Sequence, residues 1–246
     1  MGTFKVQGAD YSNPVWIAEA SSVSIVATPI TGYLFDHWVV TGTSSSVESE
    51  TSSSTTFHMG TENATVTAYF VPALTLTMVP SPTGSGTFKV NSIPYSGPVL
   101  IPNNSNNISI LATPAAGYVF DHWVVTGTGA SVASTTSAST TLTVGAADVT
   151  LTAVFLPAKT LTLMSDPASA GAFNVNGAYY DGPVLVGEGT TVTITAFMNT
   201  GTTNFLEFVV NSGNVTLSTP TVNGNQVETT FTMGTENVTI TARFNQ

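Results

Sequence analysis

Two histidines each directly follow an aspartate, at Asp36-His37 and Asp121-His122, and a carboxylate beside an imidazole is the pairing that acid–base catalysis uses. The flanking residues read as β-strand. Neighbouring side chains on a regular strand point to opposite faces, so neither pair is expected to hydrogen-bond within itself. No serine stands in a nucleophile-elbow context. A zinc site needs several ligands to converge, and His37 and His122 lie in different copies of a repeat 85 residues long (122 − 37). His58 aligns with Thr143 and Thr232, so it belongs to no repeated site. Glu62 and Glu236 sit in the turns Met59-Gly60-Thr61-Glu62-Asn63 and Met233-Gly234-Thr235-Glu236-Asn237, whose other copy is Val144-Gly145-Ala146-Ala147-Asp148. Calcium takes six or more oxygens, several of them carboxylate, and each turn offers one carboxylate. The turns read instead as hairpin chemistry, with glycine for positive φ and asparagine for local hydrogen bonds. The chain has no cysteine, which excludes disulfides and thiolate chemistry. The expectation is a protein that is not an enzyme, with no catalytic, cofactor-binding or metal-binding residue.

The residues that do recur are aromatic. Phe35-Asp36-His37-Trp38-Val39-Val40-Thr41-Gly42-Thr43 returns unchanged at residues 120–128, and a worn copy stands at Phe205-Leu206-Glu207-Phe208-Val209-Val210. Trp38, Trp123 and Phe208 are each 85 apart (123 − 38 and 208 − 123), so the chain is an array of three units. Phe35 and Trp38 would face opposite sides of a regular strand. Either both faces are covered or a bulge near Asp36-His37 brings them together. With Tyr33, Phe70, Tyr118, Phe120, Trp123, Phe155, Phe205, Phe208 and Phe244 they form the expected structural core. The weaker reading takes Trp38 and Trp123 as exposed sugar-stacking platforms.

The elements around this signature are short strands. In the second unit Leu74-Thr75-Leu76-Thr77-Met78-Val79 alternates apolar and polar residues, and Pro80-Ser81-Pro82-Thr83-Gly84-Ser85-Gly86 is turn chemistry. Strands follow at residues 87–90, 99–101, 108–113 and 118–126. Residues 141–144 and 149–155 read as a closing hairpin around Gly145-Ala146-Ala147-Asp148. No window has a capped 3.6-residue apolar period, so the chain is all-β. The expected units are residues 1–72, which have no counterpart of 74–79; 73–158, complete; and 159–246, divergent and four residues longer between Phe208 and Phe244. The joints Val71-Pro72-Ala73 and Leu156-Pro157-Ala158-Lys159 are short and proline-stiffened, which favours a semi-rigid rod. By strand count one unit has an empty slot, and an open edge invites pairing with another chain.

Charged residues are 7% of the chain, 14 acidic against 4 basic, for a net charge of −10. Lys5, Lys89, Lys159 and Arg243 are scattered, so there is no basic stripe for nucleic acid or anionic lipid. No apolar run is long enough for a transmembrane helix, and membrane insertion is not expected. Met1-Gly2-Thr3-Phe4-Lys5 is not a signal peptide and lies inside a repeat, so it reads as the edge of a mature fragment. Solubility rests on Ser, Thr and Asn, a chemistry common outside the cell. Thr-x-Thr pairs such as Thr75/Thr77 and Thr239/Thr241 read as β-propensity on a solvent face rather than an ice-binding ladder. The sequons at Asn63, Asn103, Asn107, Asn214 and Asn237 matter only where a host glycosylates asparagine.

Each unit runs from a Gly-rich turn through Ala27-Thr28-Pro29 and Gly32-Tyr33-Leu34-Phe35-Asp36-His37-Trp38 to a Val66-Thr67-Ala68-Tyr69-Phe70 strand. This resembles the divergent internalin B-type repeat of bacterial and archaeal surface proteins, over nearly the whole chain. The resemblance implies small β domains, β-grasp-related or sandwich-like, strung in an elongated array and acting as stalks, spacers or adhesive modules. The third unit departs from the pattern at Thr202-Thr203 and at Leu206-Glu207-Phe208. The function expected is a structural, stalk-type repeat module of a secreted or cell-surface protein that self-associates through open β edges into an extracellular fibre. The alternative is an adhesin for glycan or protein, using loops such as 44–56 and 102–107.

Overall fold

The computed structural model describes residues 1–11, 14–168, 170–198 and 204–245. Thr202-Thr203, where the third unit departs from the repeat, lie outside these. Every regular element among the described residues is a β-strand. Each unit is closed by two sheets facing each other, so the sandwich-like form of the expected fold is the one built. In the second unit one sheet has five strands, with Ile108–Pro114 between Gly86–Val90 and Ser139–Thr143. The other is a segment of an eight-stranded sheet shared by all three units. The core lies between them and draws Ile110 and Leu142 from one side and Leu76, Trp123 and Leu151 from the other. Alternation explains this, since Val149, Leu151, Ala153 and Phe155, and again Leu161 and Leu163 past the joint, are buried while the residues between the members of each run are half-exposed.

The joints are not linkers. Thr65–Ser81 is one strand of 17 residues, and Val149–Asp166 is one of 18. Each closes one unit and opens the next, with Pro72 and Pro157 inside it. The prolines sit where the strand changes partners. Thr65 to Pro72 pair antiparallel with Tyr33–Thr41, and Ala73 to Leu76 pair antiparallel with Val99–Pro102 on the other side. A residue at such a crossing can lack an N–H without breaking a ladder. The Pro72 and Pro157 carbonyls still accept from Asn103 and Glu188, at 3.0 and 2.8 Å.

The expected closing hairpin does not form. Ser139–Thr143 pairs with Ile108–Pro114 in the five-stranded sheet, whereas Val149–Asp166 pairs with Tyr118–Thr126 in the shared one. The turn between them therefore crosses from one sheet to the other. Its glycine is required by proximity and not by φ. Gly60 and Gly145 lie outside the positive-φ set, and a Cβ on either would collide with the carbonyl of Thr43 or Thr128.

Candidate functional site

The signature strand carries the bulge. Phe35 is in register with Phe70 and Trp38 with Ala68, so Asp36 and His37 form the irregularity. The same shift falls between Phe120 and His122. It puts the Phe35 and Trp38 rings on one face, with centroids 5.2 Å apart, and those of Phe120 and Trp123 at 5.4 Å. Trp38 and Trp123 are 1% and 2% exposed, which removes the stacking-platform reading. Each indole N–H donates to a loop carbonyl, Ser52 at 2.9 Å and Ser137 at 3.0 Å. Phe155 and Phe244 are buried, and Tyr33, Phe35, Phe70, Tyr118, Phe120, Phe205 and Phe208 are half-buried.

The same bulge overturns one expectation. With the strand irregular, Asp36 Oδ2 and His37 Nδ1 lie 2.7 Å apart, as do Asp121 Oδ2 and His122 Nδ1. The pairs do hydrogen-bond. Both are more than one-third exposed, and His37 lies flat on Tyr69, with centroids 4.7 Å apart and planes 2° from parallel. In the third unit Glu207 and Arg243 take the places of His37 and Tyr69 and form an ion pair at 3.1 Å. One cross-strand contact is thus remade with different chemistry, and no polar constellation recurs at this position in all three units.

The turn residues have a longer reach than local capping. Asp148 Oδ1 accepts the backbone N–H of Thr75 at 2.8 Å, and Asn237 Oδ1 that of Thr160 at 2.9 Å. The hydroxyl of Tyr95 accepts the N–H of Met78 at 2.9 Å, and Tyr180 that of Leu163 at 2.8 Å. A carboxamide or carboxylate and a phenol thus fix the two ends of each opening strand. These four acceptors were missed in the sequence, although each recurs at one position of the unit.

The opening strand lies between two partners. Leu76 to Ser81 run parallel to Val149 to Val154, and Ala73 to Leu76 pair antiparallel with Val99–Pro102. The third unit repeats this with Leu161 to Asp166 against Val238 to Arg243, and with Val184–Gly187 on the other side. In the first unit the closing half, Thr65 to Pro72, pairs on one side with Tyr33–Thr41; among the described residues no strand lies on its other side. Val15 to Ile17, the counterparts of Val99 to Ile101, form no strand there, and Trp16 is fully exposed. Between them is a cavity of about 560 Å³ walled by Phe4, Val6, Ile25, Phe57 and Val66. Among the described residues, the packed core clusters of the second and third units hold fifteen buried residues each, whereas that of the first holds five, Val23, Ile25, Ala27, Trp38 and Phe57.

An all-β array of sandwich units threaded on shared strands defines a repeat protein. The chain belongs to the family described as the divergent InlB B-repeat domain, which matches residues 7–73, 76–159 and 166–246. A comparison with curated proteins gave no match. No helix among the described residues is long and apolar enough to cross a membrane.

Proposed function

We propose that the chain is a structural, stalk-type repeat module of a secreted or cell-surface protein, with units at residues 1–72, 73–158 and 159–246. One observation carries this reading. The polypeptide reaches the second unit through Ala73 and leaves it through Leu156, and the strands at these two points are parallel neighbours over six register pairs. Pulling Ala73 and Leu156 apart drags two parallel strands past each other. All the hydrogen bonds of that ladder then carry the load together instead of opening one at a time. The third unit has the same six-pair arrangement. Long strands common to two units pass tension along the chain without a loose linker. Neither feature serves a catalyst, and both suit a module that spans a distance under force. The family assignment and the sparsely charged, Ser- and Thr-rich surface agree with an extracellular setting, and the open edge of the first unit agrees with assembly into a fibre.

Single-molecule stretching between the two ends tests the proposal. Two unfolding events at high force are expected, from the second and third units, preceded by a weak one from the first, whose closing strand has no parallel neighbour among the described residues. Unfolding of all three at low force would remove the stalk reading. Loop 44–56, one of the expected adhesive surfaces, is fastened down, since Glu50 accepts the Trp38 backbone N–H at 2.8 Å and Ser52 accepts its indole N–H. A glycan array tests the adhesin alternative directly.

A further inference from the structure

The groove of the first unit has all the fittings of the grooves that hold an opening strand in the other two. Asn63 occupies the position of Asp148 and Asn237, and Tyr11 that of Tyr95 and Tyr180. Among the described residues neither Asn63 nor Tyr11 has a side-chain hydrogen bond. Tyr11 instead lies stacked over Phe4, with centroids 4.6 Å apart, where Tyr95 and Tyr180 stand edge-on to Phe88 and Phe173 at 6.0 and 6.2 Å. Val66 and Phe70 are half-buried, whereas their counterparts Leu151 and Phe155, and Ile240 and Phe244, are buried. Among the described residues nothing pairs with the backbone edge of residues 64–69 on the side where residues 149–154 hold Leu76 to Ser81.

We infer that this groove is a binding site for one extended β-strand of the pattern Leu-x-Leu-x-Met, the run-on of the closing strand of another repeat of this kind. The occupant follows from the two filled grooves of the same molecule. Each holds a run-on with two alternate apolar residues inward and threonines outward: Leu76 and Met78 of Leu74-Thr75-Leu76-Thr77-Met78 in one, Leu161 and Leu163 of Lys159-Thr160-Leu161-Thr162-Leu163 in the other. By the same register the strand runs parallel to residues 64–69, with its second leucine opposite Ala64 and its methionine opposite Val66. Its first threonine N–H donates to Asn63 Oδ1 and its methionine N–H to the Tyr11 hydroxyl, which turns off Phe4 to receive it. Val15 to Ile17 then zip antiparallel along its outer edge, which gives the exposed Trp16 a strand to belong to. Backbone pairing supplies affinity and the alternating pockets supply specificity. A one-residue slip would turn the threonines into the cavity.

The test uses the full chain and a fluorescent peptide of residues 73–81. Saturable binding of one peptide per chain is expected, with amide protection gained at residues 64–70 and 15–17. Tyr11→Phe and Asn63→Ala should each weaken binding about fivefold or more, since each removes one hydrogen-bond acceptor. A peptide with its leucines and threonines exchanged should not bind. A second arm places a copy of residues 73–85 ahead of Gly2, which should raise the melting temperature of the first unit and convert its weak unfolding event into a third strong one. No saturation up to about 1 mM peptide, together with an added segment digested like a free tail, overturns the inference. So does a chain already dimeric through residues 64–70 that refuses the peptide, because the groove would then belong to a second copy. Either failure leaves the forces measured for the second and third units unchanged, so the stalk reading stands or falls separately.

Discussion

The carboxylate of Asp148 accepts the backbone N–H of Thr75, 73 residues earlier, and so ties the last turn of the second unit to its first strand. Asn237 does the same for Thr160 with a neutral carboxamide, so geometry and not charge is what the position needs. Asp148→Ala should cost about 1 kcal/mol, the net worth of one hydrogen bond at an exposed site. Asp148→Asn should cost little. Denaturant titration of the two variants checks both, and equal losses would assign the effect to charge.

Trp123 is buried on all sides, and its indole N–H is satisfied by Ser137. Trp123→Ala removes that bond and leaves a cavity, at a cost of about 3–5 kcal/mol. Amide exchange should show the loss centred on the second unit. A variant that melts like the parent and loses only ligand binding would return Trp123 to the role of a binding platform.

Gly86 lies against the ring of Phe155, and a Cβ there would overlap it. Phe155 is 2% exposed, so the ring has nowhere to go. Gly86→Ala should destabilise the second unit by about 1–3 kcal/mol, as overpacking does. The equivalent Gly2→Ala meets Phe70, which is half-buried beside the open groove and can yield, so its cost should be smaller. Thermal melts of the two variants give the comparison directly.

Much of this fold could be read in the sequence, and the exceptions have physical causes. Alternation and turn residues located the strands, and the nine-residue stretch shared by the first two units, with its worn third copy, set the period. Pro72 and Pro157 hid the continuity of the long strands, because proline usually ends a ladder and here falls where the strand exchanges one partner for another. The turn at residues 145–148 resembled a hairpin because a short Gly-containing link looks the same whether it joins two strands of one sheet or crosses between two. The Asp36–His37 hydrogen bond depends on a bulge, and a bulge breaks the rule of opposite faces on which the contrary expectation rested. The missing opening strand could be counted in the sequence. The acceptors that would receive it, Tyr11 and Asn63, could not be recognised, because their partners lie in a segment that only the other two units display.

In the third unit Glu207 and Arg243 replace the stacked His37 and Tyr69. Both charged side chains are at least half exposed. Such pairs contribute about 0–1 kcal/mol. Glu207→Ala should therefore shift stability by less than about 1 kcal/mol, and more weakly still at high salt. A loss of several kcal/mol, measured by denaturant titration, would mean that the pair holds the divergent signature strand in place.

Lys159 offers the sharpest check on the shared strands. It stands at the joint between the second and third units, where a flexible linker would present it to trypsin. Instead it lies within Val149–Asp166 in register with Val186, and its ammonium group is 3.7 Å from Glu188. A protease needs several residues in extended, unpaired form, so cleavage here requires the strand to leave both units. Lys5, by contrast, lies in Gly2–Val6 of the unit with five buried core residues, and should open far more often. Limited trypsin digestion should therefore trim the chain at Lys5 first and cut at Lys159 only as fast as the second and third units unfold. Prompt cleavage after Lys159, yielding two stable folded pieces, would show that the joint is a loose tether, and a tether does not hold neighbouring units in the fixed, stiff arrangement that the stalk requires.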